Sequence, residues 1–125
     1  MNYLRPFNHL LTRNLSHPGP VLIILPGWAG LGLHILSHCP YSGPCVALTH
    51  SSPETILHLI SFLNNYPKHS LIILGISYGG FISSIIIKQF KYRIIHCYWV
   101  GIRKKYPTKT IQIIQKKLHQ NHQRY

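Results

Sequence analysis

Short apolar runs that stop at glycine or proline, each followed by a helical pattern, are the feature that most limits the fold of this chain. The runs cover residues 21–25, 44–49, 71–74 and 94–100. The helical patterns cover residues 31–37, 51–64, 78–90 and 108–119. Buried parallel strands and their crossover helices have this pattern. We therefore predict an α/β protein with a parallel sheet of about four strands and right-handed crossover helices.

Two longer apolar segments, 20–39 and 70–87, are long enough to be tested as membrane spans. Pro26 and Gly27 interrupt the first, and the glycines around Ser77 would weaken a helix at the midpoint of the second. We therefore predict no membrane span. Residues 1–20 lack the continuous apolar region of a secretory signal, and the 3 cysteines are an odd number. We expect a cytoplasmic protein with reduced thiols that are buried or half-buried.

Acidic residues are almost absent from the chain. It contains 13 lysine and arginine residues and one acidic residue, Glu54, for a net charge of +12. Carboxylate-rich calcium and magnesium sites, the glycosidase carboxylate pair and the paired-aspartate protease site all need at least two acids, so they are excluded. A catalytic triad that ends in aspartate cannot be completed from this chain. At 125 residues, the chain suits one domain with an adequate core.

The sequence Gly-Ile-Ser-Tyr-Gly at 75–79 matches G-x-S-x-G, between an apolar strand and a helical pattern. In a nucleophile elbow the serine lies at a sharp, strained turn, and glycines two residues before and after it let strand and helix approach. Gly75 and Gly79 meet that demand. We predict that Ser77 is a nucleophile and that the backbone N–H of Tyr78 points toward a forming oxyanion. The alternative is an ordinary glycine-rich loop.

A second glycine-rich loop, Leu-Pro-Gly-Trp-Ala-Gly at 25–30, follows the first predicted strand. In such a fold this loop supplies the second oxyanion donor, here the amide of Trp28 or Ala29. A tight turn with Trp28 packed on the core explains the residue types equally well. The pairing of this loop with the turn at Ser77 favours the oxyanion role.

These two loops, together with Val-Gly-Ile-Arg-Lys-Lys-Tyr-Pro at 100–107, resemble the α/β-hydrolases over about residues 20–125. More closely, they resemble the esterases that remove the methyl ester from pimeloyl acyl-carrier protein in biotin synthesis. The resemblance implies a partial hydrolase core at 20–100, a lid-like helical segment beginning at 101–125, and a poorly defined segment at 1–19. It also implies that Ser77 is the nucleophile, that the amides of Trp28 and Tyr78 form the oxyanion hole, and that no cofactor is needed.

The chain departs from this family because no later aspartate and histidine complete the triad in the order Ser, Asp, His. His96 is expected to be a packed core histidine, and His119 and His122 lie in a polar tail. We therefore predict a truncated chain with little or no hydrolase activity. A non-catalytic α/β remnant, or a basic module that binds an anionic partner, is the alternative.

His34, His38, Cys39 and Cys45 do not have the spacing of a known ligand set, so we predict no metal site.

Most cationic residues lie at or after Lys88, so the positive charge is concentrated in the last third of the chain. An acidic acyl-carrier protein is the partner we favour over nucleic acid or lipid. The alternative is a solvated basic surface. The cationic residues in question are Lys88, Lys91, Arg93, Arg103, Lys104, Lys105, Lys109, Lys116, Lys117 and Arg124.

Overall fold

A computed structural model describes residues 9–27, 32–66 and 69–101, where strands and helices alternate. The strands are β1 (Leu10–Arg13), β2 (Val21–Leu25), β3 (Cys45–Leu48), β4 (Leu71–Ile76) and β5 (Ile94–Val100). The helices are α1 (Gly32–His38), α2 (Pro53–Asn64) and α3 (Tyr78–Phe90). The predicted helix at 108–119, and the predicted lid-like segment after Gly101, lie outside the described residues.

The five strands form one sheet in the order β1-β3-β2-β4-β5. The pairs β2–β3, β2–β4 and β4–β5 are parallel, as predicted for an α/β protein. The structure adds β1, which pairs antiparallel with β3, so that Leu10 lies opposite Leu48 and Arg13 opposite Cys45. This strand falls within the segment 1–19, for which the sequence pattern indicated no element.

Helices cover the two faces of the sheet unequally. Most of the core lies on the face packed by α2 and α3, where Leu59 and Ile82 belong to the same apolar cluster as Ile23. A smaller cluster, which includes Leu36 of α1, lies on the other face. Along β4, residues on the α3 side are buried while Ile72 and the others on the α1 side are only partly covered. The second face is therefore left open toward β5.

Helix α2 begins as the sequence predicts, with a serine cap followed by proline. Ser52 is the N-cap: its hydroxyl accepts from the backbone N–H of Thr55 at 3.3 Å, and the Thr55 hydroxyl accepts from the Ser52 N–H at 2.9 Å. Pro53 and Glu54 occupy the first turn, where an acid interacts favourably with the helix dipole. These local signals are why the start of α2 could be predicted within two residues.

Arg13 lies at the end of β1 and is buried, with 6% of its surface exposed. Its guanidinium donates to backbone carbonyls at the end of α1 and in the following loop: Leu36 at 2.8 Å, Cys39 at 3.2 Å and Tyr41 at 2.7 Å. Burial raises the pKa of the neighbouring Cys45 thiol, and the Arg13 charge offsets part of that rise. In a chain with one acidic residue, backbone carbonyls thus satisfy a buried cation and tie α1 to the sheet.

Strand β5 is an exposed edge strand rather than a buried one. Every residue after Ile94 in this strand is exposed, including His96 and Cys97. The expectation of a packed core His96 is therefore wrong, as is that of a buried or half-buried Cys97. A run of apolar residues indicates a strand but does not show whether its two faces are covered, and here little of either face is. Within the described ranges, no helix is long and apolar enough to cross a membrane.

Candidate active site

The strand order creates a crevice at the carboxyl ends of β2 and β4. The chain leaves β2 through α1 toward β3 on one side of it, and leaves β4 through α3 toward β5 on the opposite side. Open parallel sheets bind ligands where neighbouring connections diverge in this way. The loop beginning at Pro26 and the turn at Ser77 are the two segments that leave the sheet at this point. The fold therefore places the start of the loop at 25–30 and the turn at Ser77 beside each other at the carboxyl ends of β2 and β4.

Ser77 connects β4 directly to α3 in a strained conformation, with φ 52° and ψ −115°. Its backbone N–H donates to the Val100 carbonyl at 2.6 Å, and its carbonyl accepts from the Gly80 N–H at 3.0 Å. Its side chain makes no capping hydrogen bond to the helix and is partly exposed. Non-glycine residues hold such backbone angles only where the surrounding structure enforces them, and such strain is concentrated at functional sites. The backbone thus holds Ser77 at the carboxyl end of β4, with its side chain partly exposed.

Gly75 and Gly79 lie at the two close approaches that make this turn. A Cβ on Gly75 would lie 2.5 Å from the Gly80 Cα, within the first turn of α3. A Cβ on Gly79 would overlap the Leu25 carbonyl oxygen and lie 2.5 Å from the Pro26 oxygen at the end of β2. Both clashes involve backbone atoms, which cannot move aside as a side chain can. The spacing of glycines around Ser77 is therefore required by strand–helix packing.

The loop after β2 runs beside Ser77. A Cβ on Gly27 would lie 3.5 Å from the Ser77 Cβ and 3.4 Å from the Ile76 oxygen. The preceding Pro26 carbonyl accepts a hydrogen bond from the buried Ser51 hydroxyl at 2.6 Å. The sequence pattern did not identify this role for Ser51. The available signal was a pair of adjacent serines before Pro53, of which only one can cap the helix.

Of the two predicted oxyanion donors, the structure describes Tyr78 but not Trp28. Tyr78 is the first residue of α3 and is buried. Amides in the first turn of a helix point out of its N-terminus, where the helix dipole favours negative charge. Trp28 lies outside the described residues, and so does Ala29. The catalytic role of Ser77 and the oxyanion roles of Tyr78 and Trp28 stay predictions.

None of the candidate bases and acids in the described ranges is shown to meet Ser77. His96 pairs with Ile72 in the sheet, five residues before Ser77, which places it roughly 16 Å away along the strand. Glu54 is exposed in the first turn of α2, where it acts on the helix dipole. His119 and His122 lie outside the described residues. The described site therefore contains a positioned hydroxyl without an identified general base.

The structure describes all four residues that were considered for a metal site: His34, His38, Cys39 and Cys45. His34 and His38 lie side by side on α1, with ring centroids 4.6 Å apart. Cys39 is half-buried and Cys45 is buried, and both are free thiols. Over the residues that the structure describes, no three histidine, cysteine or acidic side chains are grouped so as to hold a metal ion.

Comparisons with known proteins agree with the fold. No family model matches the chain, and no curated protein matches it. Among solved structures it is similar to MenH from S. aureus, an α/β-hydrolase-type protein, with a TM-score of 0.63 and 14% identity. The match covers 86% of this chain and 47% of that chain. The chain therefore has an α/β-hydrolase-like fold and spans about half the length of this neighbour.

Proposed function

We propose that this chain is the nucleophile-bearing part of a serine carboxylic-ester hydrolase, with Ser77 as the nucleophile. The observation that carries the proposal is the strained Ser77 turn, at φ 52° and ψ −115°, located at the crevice of an α/β-hydrolase-like sheet. An ordinary loop between a strand and a helix does not need a non-glycine residue in that conformation. The glycines at 75 and 79 and the adjacent Gly27 loop give this turn the geometry of a nucleophile elbow.

In the proposed reaction, the Ser77 oxygen attacks the carbonyl carbon of an ester while its proton passes to a base, which gives a tetrahedral intermediate. The intermediate collapses to an acyl-enzyme as the C–O bond to the alcohol breaks and the base returns the proton to the leaving alcohol. Water then hydrolyses the acyl-enzyme by the same two steps and releases the acid. The backbone amides of Tyr78 and Trp28 stabilise the oxyanion of each tetrahedral intermediate. The proton transfer needs a histidine oriented by an acid, and no described residue occupies that place. We therefore propose that no complete triad acts on Ser77 in this chain, and that the chain alone is nearly inactive.

For the substrate, we propose an acyl chain carried as a methyl ester on an acidic acyl-carrier protein. The support is the charge: Lys88 and Lys91, at the end of α3, are exposed, and the net charge of +12 suits an acidic partner.

A second candidate function rests on the same positive charge. In it, the chain binds an anionic partner and keeps the turn at Ser77 only as part of its fold.

The test is site-specific labelling of Ser77 by a fluorophosphonate, with imidazole added as a general base. We expect little labelling of the chain alone, because no base among the described residues is placed to withdraw the Ser77 proton. Added imidazole should increase labelling at Ser77 severalfold, as measured by peptide mass spectrometry, because the elbow still presents the hydroxyl beside the oxyanion donors.

Two variants serve as controls for the labelling. Ser77→Ala should abolish the imidazole-dependent signal, and Ser70→Ala, at an exposed serine just before β4, should leave it unchanged. Efficient labelling without imidazole would contradict the absence of a base. Labelling that imidazole does not direct to Ser77 would favour the non-catalytic binding module.

A further inference from the structure

The outer edge of β5 is open to solvent along its length in the described structure. This strand contains seven residues, Ile94–Val100, and pairs with β4 on one side only. About half of each large apolar side chain is exposed: 50% for Ile95, 55% for Tyr98, 54% for Trp99 and 55% for Val100. Proteins normally protect such edges with lysine, proline or inward-pointing charges. The sequence Ile-Ile-His-Cys-Tyr-Trp-Val contains no lysine, arginine, proline or acid.

The hydrogen bonds to β4 show which backbone groups of β5 face outward. The Val100 carbonyl accepts from the Ser77 N–H, so the backbone of Val100 faces β4. Backbone groups alternate between the two sides of a strand, so those of Cys97 and Trp99 face away from the sheet. A register shift between Leu71 and Ile72 disturbs the pairing near Ile95. The regular outer edge is therefore His96–Val100, and Tyr98 is its midpoint.

We propose that β5 pairs antiparallel with β5 of a second copy of this chain, about a two-fold axis at Tyr98. In this register Tyr98 lies opposite Tyr98 of the second copy, and Cys97 lies opposite Trp99 of the second copy. Cys97 and Trp99 then exchange their outward backbone hydrogen bonds in two symmetry-related pairs. The tyrosines meet as a close aromatic pair on one face, and the thiol meets the indole on the other.

The composition of the edge favours a second copy over a charged partner. A two-fold interface requires each surface to be complementary to itself, and this strand has neither like charges to repel nor opposite charges to recruit an acidic protein. The interface is small, since four half-exposed side chains fall short of the roughly 1,200 Å² that stable complexes bury in total. Each copy also carries a net charge of +12, so two copies repel each other. The dimer is therefore weak, and salt strengthens it by screening this repulsion.

The proposal is tested by sedimentation of the full chain over a range of concentrations at low and high salt. We expect the average mass to rise with protein concentration from the 14.4 kDa of one chain toward twice that value. At high salt, the same rise should begin at a lower protein concentration. Tyr98→Lys places two like charges at the axis and should raise the dissociation constant at least about tenfold. Leu33→Lys, at a side chain 45% exposed on α1, is the matched control and should leave it unchanged.

The register is tested separately by disulfide formation. Tyr98→Cys places two cysteines in a close antiparallel pair, about 4.5 Å apart at Cα, which a disulfide can bridge. It should form a covalent dimer on mild oxidation, whereas Leu33→Cys should not. A monomer at every concentration, a dimer that Tyr98→Lys does not weaken, or equal crosslinking of the two cysteine variants would each overturn the proposal.

Discussion

Substitution of Gly79 by alanine is expected to lower the free energy of unfolding by about 2–4 kcal/mol. The added Cβ would overlap the Leu25 carbonyl oxygen, and a backbone carbonyl inside a buried strand cannot rotate away. Relief requires α3 to move away from β2, which would open the packing under the Ser77 turn. The loss is measured by urea denaturation followed by far-ultraviolet circular dichroism.

Gly27→Ala is the matched control for this substitution, because it adds the same methyl group at the same crevice. Its Cβ would meet the Ile76 oxygen at 3.4 Å and the Ser77 Cβ at 3.5 Å, which are close to ordinary contacts. We expect it to change the free energy of unfolding by less than about 1 kcal/mol. Equal losses for the two variants would show that the close approach of α3 to β2 is not as described.

Loss of the Arg13 side chain should destabilise the protein by about 3–4 kcal/mol. Arg13→Ala removes the donors that satisfy the carbonyls of Leu36, Cys39 and Tyr41 and leaves a cavity beside β3. A buried carbonyl that loses its hydrogen-bond donor is no longer compensated for the free energy of desolvation. Because a domain of this size has a total stability of about 5–15 kcal/mol, thermal denaturation should show the change clearly.

Two further variants separate the hydrogen bonds of Arg13 from its charge. Arg13→Lys keeps the charge but not the planar set of donors, so it should recover only part of the loss. Lys91→Ala removes an exposed cation and should change stability by less than about 0.5 kcal/mol. Full stability in Arg13→Lys would contradict the account, because it would show that charge alone accounts for the role of Arg13.

The strands and helices that contain strong local signals could be predicted from the sequence. The bounds predicted for β2, α3 and β5 agree with the structure, since each apolar run or helical pattern ends at a glycine, a proline or a turn. Strand β1 could not be found this way. It has four residues, includes Thr12 and Arg13, and owes its place to pairing with β3, which is distant in sequence.

Burial was harder to predict than secondary structure. The apolar sequence of β5 indicates a strand, but its exposure depends on what lies beyond the sheet edge, and no local pattern records that. His96 and Cys97 were therefore placed wrongly. Arg13 is the opposite case, because this cation lies in a segment without a predicted element and is nevertheless buried, with hydrogen bonds to α1 and the loop after it.

At the candidate site, the sequence predicts the turn but not its surroundings. The spacing of Gly75, Ser77 and Gly79 follows from the packing of one strand on the next helix, so a local motif carries it. The contact of Ser51 with Pro26 joins loops from two different strands and has no local signal. Because a general base would also come from a distant segment, the motif alone predicts a nucleophile and not an activity.

The strain at Ser77 is the central claim, and the stability of Ser77→Gly measures it most directly. Glycine adopts φ 52° and ψ −115° without the steric cost that serine bears. Glycine also loses more chain entropy on folding, so we expect a net gain of about 1 kcal/mol in the free energy of unfolding. Ser77→Ala retains the strain and should leave stability unchanged. We predict that Ser77→Gly is more stable than both the unsubstituted protein and Ser77→Ala. A glycine variant less stable than Ser77→Ala would contradict a strained nucleophile turn at this position.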